Sequence, residues 1–222
     1  IDEVKVYHPD IFIIGDSRYD GKLLWSSHPA YPYRMLAAQD ETAPPNYALM
    51  NAIGGSVYVA GRDFGGANLQ TVDAHIQTAV LDHFARRIII SVGHNDIYPD
   101  TRVLADLQAD LQSIMAKISA AGINPAQVAI NNCTGSFYLA TQQAKDLMDA
   151  WNAWLPTYCT SVGAALVDQH TVLKKPTDSY DLNPAYASAD GAHLTKAGTI
   201  VMMAPAYAAL PELPVAEYVL AE

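Results

Sequence analysis

Four stretches of this chain hold residues able to do chemistry: Ser17, the pair Gly54-Gly55, Gly93-His94-Asn95-Asp96, and Asp190-Gly191-Ala192-His193. Acyl transfer needs a nucleophile, a base, a group that orients the base, and donors for the oxyanion. The four stretches contain a candidate for each part. A serine hydroxyl is a poor nucleophile until a base takes its proton. A carboxylate three residues before a histidine can reach its ring from the same loop, fix the tautomer and stabilise the imidazolium. Each part also has an ordinary use. Ser17 would serve as the N-cap of a following helix, and His193 as a surface histidine at a helix start. His94, Asp96, Asp190 and His193 offer N and O donors to a metal ion, but that reading leaves Ser17 and the glycines without purpose, and no H-E-x-x-H helix is present.

These stretches need elements to bring them together. Ligands of open α/β sheets bind just outside the carboxyl ends of the strands. Ile11-Phe12-Ile13-Ile14 reads as a buried strand ended by Gly15. Pro44-Pro45 forces an extended entry into a second strand, Tyr47–Ile53, ending at Gly54-Gly55. Ile88–Val92, β-branched nearly throughout and followed by Gly93, suits a strand covered on both faces. Val128–Asn131 and the short Ala164–Val167 complete five strands. Between them, a short helix falls near Tyr33–Gln39. The spacing Leu69, Val72, Ile76, Val80, Phe84 predicts a helix that Arg86-Arg87 close, where cations suit the dipole. Leu104, Leu107, Leu111, Ile114, Met115 and Ile118 form one apolar face, with Gly122 as the stop. Ala144, Leu147, Met148, Trp151 and Leu155 give the next helix, and a last one runs from Thr195, its N-cap, through Met202. Asp168–Asp190 is a long connection without periodicity, of a length that is usually either functional or disordered.

Strand and helix alternate throughout, which calls for a parallel sheet with helices on both faces. The expectation is an α/β fold: a three-layer α/β/α sandwich with a flavodoxin-like five-stranded parallel sheet in the order 2-1-3-4-5. No internal repeat, low-complexity tract or linker divides the chain, so residues 1–222 read as one domain. Parallel strands present their carboxyl ends at one rim, where groups remote in sequence can converge.

Bulk properties narrow the partners. The 222 residues are 50% hydrophobic and 16% charged, ordinary for a globular protein. The formal net charge is −10 and no basic cluster exceeds Arg86-Arg87 or Lys174-Lys175, which argues against nucleic acid and against anionic membrane surfaces. No apolar stretch approaches the roughly 20 residues needed to cross a bilayer. The chain begins at Ile1 without Met, as a trimmed product would, and compartment and oligomeric state stay open. Cys133 and Cys159 lack C-x-x-C spacing and cannot form a zinc site alone; one disulfide between them is open, with two unpaired buried thiols the favoured reading.

Gly15-Asp16-Ser17, the glycine after the second strand, Gly93-His94-Asn95-Asp96 and Asp190-Gly191-Ala192-His193 resemble the sequence blocks of the SGNH, or GDSL, hydrolases. They occur in the family's order and span nearly the whole chain. The resemblance implies that Ser17 is the nucleophile, His193 the general base, and Asp190 the acceptor that holds the imidazole. It implies an oxyanion hole made by the backbone N–H groups of Ser17 and Gly55 and the side-chain amide of Asn95. Aligning Ala52-Ile53-Gly54-Gly55 with the family's Gly-Ile-Ser-Gly selects Gly55 over Gly54. A residue without Cβ lets backbone approach the oxyanion closely. Arg18 stands where the family's name has leucine, and Leu194 where many members have proline. The G-x-S-x-G elbow of α/β-hydrolases is absent. His94 reads as a site wall or structural hydrogen bonder, and Asp16 and Asp96 as residues that fix loop geometry.

The expected activity is hydrolysis of carboxylic esters with short acyl chains through an acyl-serine intermediate, with no metal or organic cofactor. The partner is a small-molecule or glycan ester, bound by the loops Arg18–Pro32, Gly54–Asn68, Thr134–Leu139 and Asp168–Ala189. The Gly-His-Asn-Asp form resembles the family's carbohydrate O-acetyl esterases, which makes sugar esters the alternative substrate. A non-catalytic ligand-binding domain on the same fold is the competing class.

Overall fold

Isoleucines at 88, 89 and 90 leave no polar face, so the strand that carries them must be covered on both sides. The computed structural model shows this arrangement. It describes residues 11–15, 68–79, 81, 86–91, 93–98, 101–136 and 139–211. Strands β1 (Ile11–Gly15), β2 (Arg87–Ser91), β3 (Val128–Asn131) and β4 (Ala165–Val167) form a sheet in the order β1-β2-β3-β4. Every neighbouring pair is parallel, with Gly15 beside Ser91, Ile90 beside Ile130, and Asn131 beside Val167. These are four of the five expected strands in their expected succession. The strand at Tyr47–Ile53 and the helix at Tyr33–Gln39 lie outside the described residues.

Alternating side chains divide the core in two. Ile88 and Ile90 of β2, with Val128 and Ile130 of β3, face one layer of helices. That layer comprises α1 (Leu69–Ala79), α3 (Leu104–Ala120) and α4 (Gln142–Val162). Their buried stripes include Leu69, Val72 and Ile76; Leu107, Leu111 and Ile114; and Met148, Trp151 and Leu155. Ile89 and Ala129 face the other way, onto Met202 and Ala206 of α6 (Lys196–Ala208). Between β2 and α3 lies a single helical turn, α2 (His94–Ile97). Among the described residues, no helix is long and apolar enough to cross a membrane. Cys133 and Cys159 are buried free thiols, and burial pushes the Cys159 thiol up to about 11.

Two expectations are corrected. Arg87 does not close a helix: α1 ends at Ala79, and Arg87 is the buried first residue of β2, donating from Nη1 to the Pro211 carbonyl at 3.3 Å. The helix read from Ala144 to Leu155 forms as α4 and runs on through Pro156 to a left-handed Gly163 cap. The connection Asp168–Asp190 is not structureless. It holds a short helix, α5 (Gln169–Leu173), and the antiparallel strands β5 (Lys174–Lys175) and β6 (Asp178–Leu182). These pieces are too short to show a period in sequence. Leu173 and Leu182 anchor them in the second core instead.

The small sheet lies against the loop that follows β3. A Cβ built on Gly135 would stand 2.2 Å from the carbonyl carbon and oxygen of Tyr180, so only glycine fits. Gly135→Ala is therefore expected to destabilise the protein by about 1–3 kcal/mol, the usual cost of overpacking. Thermal melting of the variant checks this, and an unchanged Tm would show that the contact yields freely.

Candidate active site

Asp190 and His193 sit on a closed turn just before α6. The Ser188 N–H donates to the His193 carbonyl at 2.8 Å, Gly191 N–H to Ser188 O at 3.0 Å, and Thr195 N–H to Tyr186 O at 2.8 Å. Ala187 and Leu194 form an antiparallel bridge between the two arms. Gly191 takes φ +68°, the left-handed conformation that closes the turn and favours glycine. Farther along, Gly198 lets α6 pass the strap, since a Cβ there would lie 2.5 Å from Tyr186 O.

This turn aims a carboxylate at an imidazole. Asp190 Oδ2 lies 2.5 Å from His193 Nδ1. Its other oxygen, Oδ1, accepts from Ser188 Oγ at 2.6 Å and from the backbone N–H groups of Ala192 and His193, each at 2.9 Å. Partial burial opposes ionisation, but the donors from His193, Ser188 and Ala192 outweigh it and hold the Asp190 carboxyl well below the usual carboxylate range. An ionised carboxylate on Nδ1 selects the tautomer whose basic lone pair is at Nε2.

Asn95 stands on α2, beyond the carboxyl end of β2. Gly93 opens this turn at φ +117°, and its carbonyl accepts from Asp96 and Ile97 N–H, each at 3.1 Å. A Cβ on Gly93 would come within 3.1 Å of Cys133 Sγ and 3.5 Å of Trp151 Nε1, so the turn is seated directly on the core. His94 is buried and its Nε2 lies 2.9 Å from Ser136 Oγ, tying the turn to the loop after β3. Asp96 acts as the sequence suggested, fixing geometry: its Oδ2 accepts from the Leu69 N–H at 2.8 Å, at the start of α1. Its Oδ1 pairs with Arg102 Nη1. Burial pushes Asp96 up to about 6, against the Leu69 N–H and Arg102, which pull it down.

Beside this, a polar network joins the carboxyl ends of the central strands. Asn131 Nδ2 donates to Ser91 Oγ at 3.3 Å and to Gln169 Oε1 at 3.2 Å, while Gln169 Nε2 donates to the Asn132 carbonyl. Asn132 Nδ2 reaches Asp168 Oδ1 at 2.8 Å, and its Oδ1 accepts from His170 N–H at 2.9 Å. Asn152 of α4 clamps both backbone groups of Cys133, at 2.9 and 2.7 Å. Sequence reasoning missed these residues; the adjacent asparagines Asn131-Asn132 at a strand end were the one available signal.

The structure thus brings Asp190 and His193 together and places Asn95 on a braced turn at the rim. Ser17 and Gly55 lie outside the described residues, as do Gly54, Asp16 and Arg18. The chain leaves β1 at Gly15, two residues before Ser17, at the same edge as Ser91. The side chains considered as metal ligands are engaged separately, His94 with Ser136, Asp96 with Arg102, and Asp190 with His193. Among the described residues, no group of three or more His, Cys, Asp or Glu could hold a metal ion.

Comparison with known proteins bears on this geometry. A family model, the GDSL-like lipase/acylhydrolase family, matches residues 13–199. Comparison with curated proteins finds no match. Among solved structures, a GDSL-like lipase from Bacteroides thetaiotaomicron is similar with a TM-score of 0.63 at 14% identity, over 88% of this chain and 84% of that one. An acetyl xylan esterase, AlAXEase, is similar with a TM-score of 0.61 at 14% identity, over 90% of this chain and 98% of its own. A variant of the acetyl-xylooligosaccharide esterase Axe2 from Geobacillus Stearmophilus gives 0.57 at 14% identity, over 96% and 97%. At these identities the structures show the fold alone. The family match begins within β1 and ends within α6, taking in both the Asn95 turn and the Asp190–His193 turn. This chain belongs to the GDSL-like lipase/acylhydrolase family and is a carboxylic ester hydrolase.

Proposed function

We propose that the protein hydrolyses short-chain acyl esters through an acyl intermediate on Ser17. The observation that carries this reading is the Asp190–His193 pair, a fixed carboxylate 2.5 Å from Nδ1 that leaves Nε2 as the basic nitrogen. In the first step Ser17 Oγ bonds to the ester carbonyl carbon and its proton passes to His193 Nε2. The resulting oxyanion is met by the backbone N–H groups of Ser17 and Gly55 and the Asn95 amide. The imidazolium, stabilised by Asp190, returns the proton to the departing alcohol as the C–O bond breaks. Water then repeats the sequence on the acyl-serine, releasing the acid.

A second reading, a carbohydrate O-acetyl ester as substrate, is favoured by one feature. A depression beside Asn95 is lined by Asn68, Gln70, Thr101, Arg102, Asp106 and Asp110, hydrogen-bonding groups matched to a hydroxyl-rich alcohol. Two structurally similar proteins are named as acetyl xylan and acetyl-xylooligosaccharide esterases. A panel of p-nitrophenyl esters of increasing acyl length, run beside acetylated xylan, pectin and chitin fragments, tests both readings by acid release. The short-acyl reading expects kcat/KM to be highest at acetate and to fall as the chain lengthens. A maximum at long chains would overturn it. Preference for an acetylated glycan over p-nitrophenyl acetate would establish the second reading.

A further inference from the structure

We propose that Arg102 is a positioning residue for the Asn95 oxyanion donor, acting through Asp96; this rests on the assignment of Asn95 made above. An oxyanion donor has to be held within a fraction of an ångström of its working position. Asn95 sits on a helix of four residues, too short to hold itself by its own hydrogen bonds. The neighbouring side chain supplies the missing restraint. Asp96 has a fully buried side chain, and both of its oxygens are committed, one to the Leu69 N–H and one to Arg102.

Arg102 completes a three-way brace. Its Nη1 holds Asp96, and its Nη2 lies 2.5 Å from Asp110 Oδ2 on α3. The guanidinium and the Asp110 carboxylate are themselves mostly buried, with side-chain exposures of 17% and 20%. One planar fork therefore ties the oxyanion turn to α3, while Asp96 ties the same turn to the start of α1. Lysine, a point charge without the fork, cannot engage both carboxylates in this geometry. Without the guanidinium, Asp96 would be a buried carboxylate lacking its countercharge, and it would turn away or take a proton. Either response shifts the backbone from which Asn95 projects. Arg102 also lines the depression that Asn95 lines, so the brace lies at the site itself.

A double-mutant cycle separates positioning from simple scaffolding. Asn95→Ala alone is expected to lower kcat about 100- to 1,000-fold. Arg102→Gln in the wild-type background is expected to lower kcat about tenfold with KM nearly unchanged, and Arg102→Lys to recover part of that loss. In the Asn95→Ala background, Arg102→Gln should change kcat less than about twofold, because the donor it positions is gone. The drop in Tm should be the same in both backgrounds. Equal factors on kcat in both backgrounds would overturn the proposal while leaving Asn95 in place. An Asn95→Ala variant with wild-type kcat would overturn the assignment of Asn95 instead. Should Arg102→Gln not fold, Asp110→Asn releases half of the fork and keeps the Asp96 pair. Its smaller loss of kcat must likewise vanish in the Asn95→Ala background; if it persists there, the proposal fails.

Discussion

Ser17→Ala is expected to lower kcat on p-nitrophenyl acetate by roughly 10⁴- to 10⁶-fold, the range seen when a serine hydrolase loses its nucleophile. Its neighbours in sequence, Asp16 and Arg18, carry no hydroxyl to take its place. The acyl-enzyme step is then closed, and only binding and oxyanion stabilisation remain to assist direct attack by water. An organophosphonate probe gives a second, independent readout. The wild-type protein should gain one phosphonyl group on the peptide that carries Ser17, and the variant none. A non-catalytic binding domain would remain unlabelled in both forms. Turnover by the variant within tenfold of wild type would end the assignment of Ser17.

His193→Ala should be nearly as damaging, because the serine proton then has no acceptor and the leaving alcohol no donor. The pH profile sharpens this expectation. Donors from Ser188, Ala192 and His193 hold the Asp190 carboxyl well below its ordinary range despite partial burial. Such a depressed group contributes stability that is fully present above its unfolded pKa, near 3.9, and is lost only as pH falls toward the folded value. Asp190 thus stays ionised throughout mild acid, and its charge goes on orienting the imidazole there. kcat/KM should fall on the acid side with the slope of a single proton. Asp190→Asn would remove the charge that selects the tautomer and should cost about 10⁴-fold in kcat. A profile flat through the histidine range, or His193→Ala with substantial turnover, would remove His193 from the mechanism.

The two turns show why some of this protein is legible in its sequence. Asp190 and His193 are three residues apart, and the turn between them closes through Ser188, Gly191 and local backbone hydrogen bonds. Their meeting is a local event, so the spacing carries it. The same holds for the isoleucines of β2, whose composition demands cover on both faces, and for the stripes of α1 and α3, which bury Leu69, Val72, Ile76, Leu107 and Leu111 at helical intervals. Strand succession, the parallel sheet and the place of the Gly-His-Asn-Asp stretch after a strand follow from such short-range patterns.

Other features have no short-range pattern and were decided only when the chain packed. His94 meets Ser136 across 42 residues of sequence, Asn131 meets Ser91 across 40, and Asp96 meets the Leu69 N–H across 27. Arg102 stands only six residues from Asp96, yet nothing in its neighbours distinguishes it from a surface arginine. Its role depends on α3 placing Asp110 on the other side of the guanidinium. Arg87, which reads as a helix-closing cation, becomes a buried strand residue because β2 pairs it beside Ile11 and the Pro211 carbonyl accepts from its guanidinium. By itself the sequence determined which residue types stand at the rim and the local turn that pairs carboxylate with imidazole. Tertiary structure alone decided what braces them, because a buried polar group takes whichever partner the packed chain puts within reach.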